Sequence, residues 1–238
     1  MSHIKILHTN DSHGRLTQEK AERLRELKAQ HNAILLDAGD VIKAGNIAIP
    51  LAPDPAWRWV ELAGYDAITI GNREFHLTAK GFLAKVALAP CPLLAANIRA
   101  KRTKAPLPVQ PFIVLNDKIG VLGLMPAMVT PRMKSAILSA YLFDPPLAAA
   151  EIWLPQLKAQ CKTVIALTHI GLKDDRRLAA ARPDLSVIIG GHSHTPVFPP
   201  DTDYGAPIVQ AQPFARSVGL LTLDASGRLI DAQEFGLE

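Results

Sequence analysis

The sequence predicts an α/β fold, and three observations carry that expectation. Short apolar runs alternate with amphipathic stretches over most of the chain. The tail then becomes rich in strand-like segments. Five of the apolar runs end alike, in Asp, Asn or His beside glycine.

The elements follow in order. Residues 4–10 read as a strand. Residues 17–31 read as a helix, with Thr17 as N-cap and Ala21, Leu24 and Leu27 on one face. Residues 33–40, "AILLDAGD", are a buried strand running into a Gly turn. Residues 54–65 are a helix with proline near its start and Gly64 at its end. A strand at 66–72, a helix at 78–88 and a strand at 92–97 come next. Prolines blur the pattern from 99 to 145, but 112–125 has the pattern of a hairpin about "NDK". The helix at 145–160 must be kinked or interrupted at Pro155. A strand at 163–171, a helix at 174–183 stopped by proline and a strand at 185–194 follow. Residues 206–211 and 217–224 are strands, and 227–235 closes a final hairpin. No repeat, low-complexity segment or linker divides the chain, so its 238 residues are expected to form one domain.

Composition narrows the function classes. Hydrophobic residues make up 48% of the chain, ample for a core and unlike a disordered protein. The apolar runs fall well short of the ~20 residues that span a bilayer. The opening "MSHIKILHTND" has no basic-then-apolar leader, so a soluble, cytoplasmic protein without a membrane partner is expected. Net charge is +4, with the densest basic cluster, "RAKRTK", at 99–104. It reads as a solvated loop rather than a nucleic-acid patch. Cys91 and Cys161 lie beside apolar sequence outside any CxxC pattern, and read as buried reduced thiols.

The chemistry collects at the strand ends. The first run ends in "NDSHG", with Asp11 and His13. The second ends in "DAGD", with Asp40, and the third in "GN", with Asn72. Later runs end in "THIG", with His169, and "GGHSH", with His192 and His194. Ligands of open α/β sheets gather outside the carboxyl ends of the strands. Asp11 and His13 are two apart, as are His192 and His194, so in extended backbone each pair faces one side while Ser12 or Ser193 faces away. The neighbouring glycines let the backbone turn sharply and approach a ligand. Taken singly, Asn72 and His169 have ordinary structural explanations. Taken together the seven side chains point to a metal site. Two divalent cations bring +4, and Asp11 with Asp40 removes 2. A bridging hydroxide still leaves the site positive, which suits a phosphate dianion. Two cations about 3.5–4 Å apart can activate water and clamp an in-line displacement. His, Asp and Asn ligands suit Mn, Fe, Zn, Co or Ni. His3, His8 and His31 lack this context and read as structural or exposed.

The ordered set "ILHTNDSHGRL", "ILLDAGD", "YDAITIGNREF", "LLAANI", "VIALTHIG" and "PDLSVIIGGHSHT" resembles the calcineurin-like metallophosphoesterase superfamily. Within it, the chain is similar to the N-terminal catalytic domain of the 5'-nucleotidase and UDP-sugar hydrolase family. "PIVQA" and "VGLLTLD" are weaker matches downstream. The resemblance implies a four-layer αββα sandwich of two mixed β-sheets flanked by helices. It implies that Asp11, His13, Asp40 and His194 hold one metal. Asp40, Asn72, His169 and His192 would hold the other, with Asp40 bridging. Asn97 matches an asparagine lying near the site in the family. The family's C-terminal domain, which binds the nucleoside part of the substrate, is expected to be absent from this chain, so nucleotide specificity does not carry over.

One departure falls on the catalytic loop. The family usually reads Gly-Asn-His-Glu-Phe-Asp, where the His stabilises the transition state or protonates the leaving group and the Asp orients it. "GNREFH" places Arg73 and His76 there instead. Arginine cannot act as an acid but can fork onto two phosphoryl oxygens. His76, three residues on, could supply the proton. The expected activity is hydrolysis of small phosphate esters or anhydrides. Two alternatives stand beside it: a catalytically silent module that binds a phosphorylated ligand, and a hydrolase of phosphodiesters or sulfur-linked esters.

Overall fold

The computed structural model describes residues 3–101 and 107–237. Of the basic cluster at 99–104, positions 102–104 lie outside them. One six-stranded sheet holds β1 (Ile4–Thr9), β2 (Ile34–Asp37), β3 (Ala67–Thr69) and β4 (Leu93–Leu94) as parallel neighbours. On its other side β13 (Ser217–Leu223) pairs antiparallel with β1, and β14 (Leu229–Gly236) with β13. The second six-stranded sheet runs β11-β12-β10-β9-β7-β6. There β7 (Ile119–Leu124), β9 (Thr163–Thr168), β10 (Val187–Ile189) and β12 (Ile208–Gln210) are parallel. The edges β6 (Phe112–Leu115) and β11 (Val197–Asp201) are antiparallel. Both sheets are therefore mixed.

Strand alternation builds the layers. In β1, Ile6 faces the second sheet and Leu7 faces helices; in β2, Leu36 and Leu35 divide likewise. Ile6 and Leu36 share a core with Val121, Ile165, Leu167 and Ile189 of the second sheet. Helices α1 (Gln18–His31), α2 (Ala56–Ala63) and α3 (Ala79–Val86) cover the outer face of the first sheet, burying Leu24, Trp57 and Phe82. Helices α4 (Pro146–Lys158) and α5 (Leu172–Ala181) cover the second, burying Leu154 and Leu178. This is the four-layer sandwich.

Local signals place most elements. Thr17 accepts a hydrogen bond from the Lys20 backbone, and Ala21, Leu24 and Leu27 are the buried face of α1. The "NDK" hairpin turns through residues 116–118, between the paired Leu115 and Ile119, with Asn116 and Asp117 in the left-handed region at φ 51° and 55°. Pro155 does not interrupt α4. It lies on the exposed face, and the Glu151 carbonyl it deprives of a donor belongs to an exposed residue. The antiparallel pair β5 (Ile98–Ala100) and β8 (Tyr141–Phe143), and the proline-bearing edge strand β11, carry no clear sequence pattern. Cys91 and Cys161 are free thiols, the second buried. Among the described residues no helix is long and apolar enough to cross a membrane.

Candidate metal centre

Strand register sets the site. Thr9 pairs with Asp37, Asp37 with Ile68 and Leu167 with Ile189, so β1, β2, β3, β9 and β10 finish together. The side chains just beyond those ends converge. Asp11, His13, Asp40, His192 and His194 all have positive φ, between 49° and 75°. Non-glycine residues rarely adopt that conformation, and strained backbone concentrates at functional sites. This corrects the expectation of extended i, i+2 pairs. Strands β1 and β10 stop at Thr9 and Ile189, and left-handed turns bring each pair together. Ser12 and Ser193 do turn aside, donating to the Val41 carbonyl and to Gln210.

His13 Nε2 and His194 Nε2 face each other at 2.9 Å, and His194 Nε2 is 3.3 Å from Asp11. Asp40 splits its carboxylate. Its Oδ2 lies 3.9 Å from His13 Nε2, and its Oδ1 lies 3.5 Å from His169 Nε2. Asn72 Oδ1 is 3.3 Å from His169 Nε2 and 3.0 Å from His192 Nδ1. His169 Nδ1 sits 2.6 Å from the Ala38 carbonyl, which accepts a hydrogen bond from that nitrogen and aims Nε2 at the oxygens of Asp40 and Asn72. Nitrogen and oxygen atoms of imidazole, carboxylate and amide thus converge, a donor set that fits a divalent cation. Among the described residues, Asp11–His13–His194 and Asp11–Asp40–His169 each keep their candidate ligand atoms within 4.8 Å of one another. Asp11 is common to both groups, while the split carboxylate belongs to Asp40.

Charge states agree with the fit. Burial pushes His13 down to about 4 and also lowers His192, with help from the His169 charge. Both are therefore neutral, as metal-binding imidazoles must be. Burial opposes ionisation of Asp40, yet the hydrogen bond and charge of His169 outweigh it and hold the carboxyl below its ordinary range. Burial likewise works against a charged His169, but bonding to Asp40 raises it to about 9.

Several residues missed in the sequence build this floor. Glu74 is fully buried, and its carboxylate accepts from the backbone N–H groups of Asp40, Val41, Ile42 and Gly71 at 2.8–3.1 Å. Asp37 accepts from Thr9 at 2.6 Å and from the Gly39 backbone at 2.7 Å, shaping the turn to Asp40. Lys85, also fully buried, lies 2.7–3.1 Å from the carbonyls of Gly45, Asn46, Arg73 and Phe75. Its position inside an amphipathic helix concealed this, whereas Glu74, an acid two residues after Asn72, was a readable signal. Gly71 is required, because a Cβ there would meet Asp40 Oδ1 at 2.2 Å.

The remaining candidates separate. Arg73 is at the site: its backbone N–H donates to Asp40 Oδ1 at 2.7 Å, and its Nε is 3.9 Å from Oδ2. One guanidinium arm donates to the Lys43 carbonyl at 2.9 Å. His76 has another role. Its buried ring accepts from the Thr78 backbone at 3.0 Å and lies against Gly81, where a Cβ would meet Nδ1 at 2.2 Å. It braces the start of α3, because the chain turns at Thr78 rather than continuing helically from Arg73. Asn97 is bonded to both sides of the Met125 backbone at 2.7 and 3.1 Å and to the Asp144 carbonyl at 3.2 Å. It ties the end of β4 to the end of β7. His8 is buried and His3 exposed, and His31 stacks on Phe235.

The model of the calcineurin-like phosphoesterase family matches residues 4–196. The chain belongs to the calcineurin-like phosphoesterase family. Within that family it is 29% identical to the snake venom 5'-nucleotidase of Gloydius brevicauda over 95% of its own length and 46% of the relative's. It is 27% identical to the human 5'-nucleotidase, covering 94% of this chain and 47% of that one. The chain thus spans about half the length of these curated relatives. Among solved structures, the 5'-nucleotidase precursor from Thermus thermophilus superimposes with a TM-score of 0.78 at 24% identity, over 98% of this chain and 54% of that one. The phosphoesterase YfkN from Bacillus subtilis gives 0.76 at 20% identity, over 99% of this chain and 91% of that one. These likenesses show that the sandwich is the phosphoesterase fold.

Proposed function

We propose that this chain hydrolyses small phosphate esters or anhydrides with two divalent cations, and that Arg73 stands where the family keeps a histidine. The supporting observation is the split carboxylate of Asp40, one oxygen toward His13 and the other toward His169. Asp11, His13, Asp40 and His194 would hold one cation, and Asp40, Asn72, His169 and His192 the other. When bound, the cations supply an activated water and neutralise phosphoryl charge. The chain's own residues orient and exclude. Ala38 fixes the His169 tautomer and Glu74 fixes the Asp40 loop. Arg73 keeps guanidinium donors free beyond the arm held by Lys43, and these can take phosphoryl oxygens as charge builds.

On this reading neither Arg73, which stays charged, nor His76, whose Nδ1 is bonded to Thr78, serves as the proton donor in place of the family histidine. Substrates that leave without protonation, aryl phosphates and phosphoanhydrides, are therefore favoured. The test is metal content and turnover on one preparation reconstituted with Mn or with Zn, beside Asp40→Ala. Wild-type chain is expected to bind metal and turn over aryl phosphate, and Asp40→Ala to lose both. Metal-dependent turnover retained in Asp40→Ala would refute the bridging assignment. Bound metal without turnover on monoesters, diesters or anhydrides would favour a binding module.

A further inference from the structure

The loop after β12 presents a second group of residues to the metal centre. Phe214 and Ala215 both have positive φ, 66° and 53°. Neither is glycine, so the loop is strained, and it is pinned in that shape. The Phe214 backbone donates to the Asp11 carbonyl at 2.8 Å, and Lys20 donates to the Ala215 carbonyl at 2.6 Å. The strain aims one half-buried ring at the site. Its centroid is 5.5 Å from that of His13 and 5.1 Å from that of His194. Two guanidiniums lie over the same ring, Arg15 at 4.6 Å and Arg216 at 5.7 Å, and both residues are exposed.

Two like charges gathered on one aromatic ring beside a cation site form an anion trap. Arg15 has no carboxylate partner among the described residues. The group lies on the His13–His194 side of the cluster, whereas Arg73 lies beside Asp40. With guanidiniums over the ring, what a ligand meets is a set of N–H donors rather than a bare face for stacking a base. We propose that Arg15, Phe214 and Arg216 form a subsite for a second phosphoryl group, so that this chain prefers substrates with two linked phosphoryl groups to lone monoesters. The inference rests on the phosphoryl-site reading above and adds a place for the neighbouring phosphate.

Calorimetric titration of the full chain, with Mn in excess, compares phenylphosphonate with phenyl methylenediphosphonate, which cannot be hydrolysed at its P–C–P link. Wild-type chain is expected to bind the diphosphonate at least about tenfold more tightly. Arg15→Met combined with Arg216→Met removes that preference, and Arg15→Lys alone keeps part of it. Both positions are exposed, and the single Arg15→Met variant checks that the loss does not come from disturbing the pinned loop. A preference absent in wild type, or unchanged in the double variant, overturns the subsite and leaves the phosphoryl site standing. Failure of wild-type chain to bind either probe overturns both.

Discussion

Arg73 is charged at every ordinary pH, and its Nε lies 3.9 Å from the Asp40 carboxylate. On the proposed reading it stabilises developing phosphoryl charge at that place and does not hand over a proton. Arg73→Ala is expected to lower kcat on an aryl phosphate by about 10²-fold, the cost of one preorganised donor, with metal content unchanged. Steady-state kinetics with metal analysis checks this. Equal rates on alkyl and aryl monoesters, unaffected by the substitution, would sink the role given to Arg73. The identities of the seven cluster residues were readable because each follows an apolar run and lies within three residues of a glycine. Their backbone conformation was not, since left-handed turns at Asp and His carry no distinct composition signal.

At the scale of elements, the loop between β3 and α3 is organised by one buried carboxylate. Glu74 gathers four backbone N–H groups, three of them from the segment holding Asp40. Glu74→Ala leaves those donors buried without acceptors. It is expected to cost at least about 3 kcal/mol of stability and to weaken metal binding. Urea unfolding and metal titration of the purified variant read both effects; a loss below about 1 kcal/mol would contradict this role. Helix boundaries were legible where a cap was present, as at Thr17 and Thr78, which both accept from backbone N–H groups. Strand ends were read too long. Residues 185–194 contain a strand only at Val187–Ile189, because apolar content marks the run and the ladder decides where pairing stops.

Across the whole molecule, buried acids link the sandwich to pH. Burial raises Asp37 to about 7 and Asp175 to about 8, each opposed by a threonine hydroxyl, Thr9 or Thr168. Each carboxyl holds its proton better in the folded chain than in the unfolded one. From about pH 4 upward the folded state therefore binds more protons, and this contribution to stability falls as pH rises through 7 and 8. Asp175→Asn keeps an acceptor for Thr168 and cannot ionise. The metal-free variant is expected to gain on wild type in urea midpoint between about pH 5 and pH 8. A difference that stays constant over that range would remove Asp175 from the pH response.

The sequence by itself determined the alternation of strands and helices, the family and the seven residues that gather at the strand ends. These are local facts, written in periodicity, glycine placement and residue type. Tertiary structure decided what no local pattern encodes. It turned His76 to Thr78 and locked Asn97 between β4 and β7. It set Glu74 beneath Asp40 and brought Phe214, with Arg15 and Arg216, to the rim of the cluster. Each of these outcomes, apart from His76, joins segments far apart in the chain. They depend on how two sheets pack and where their strands end, so "GNREFH" named the residues on the loop but not which partners Arg73 and His76 would find.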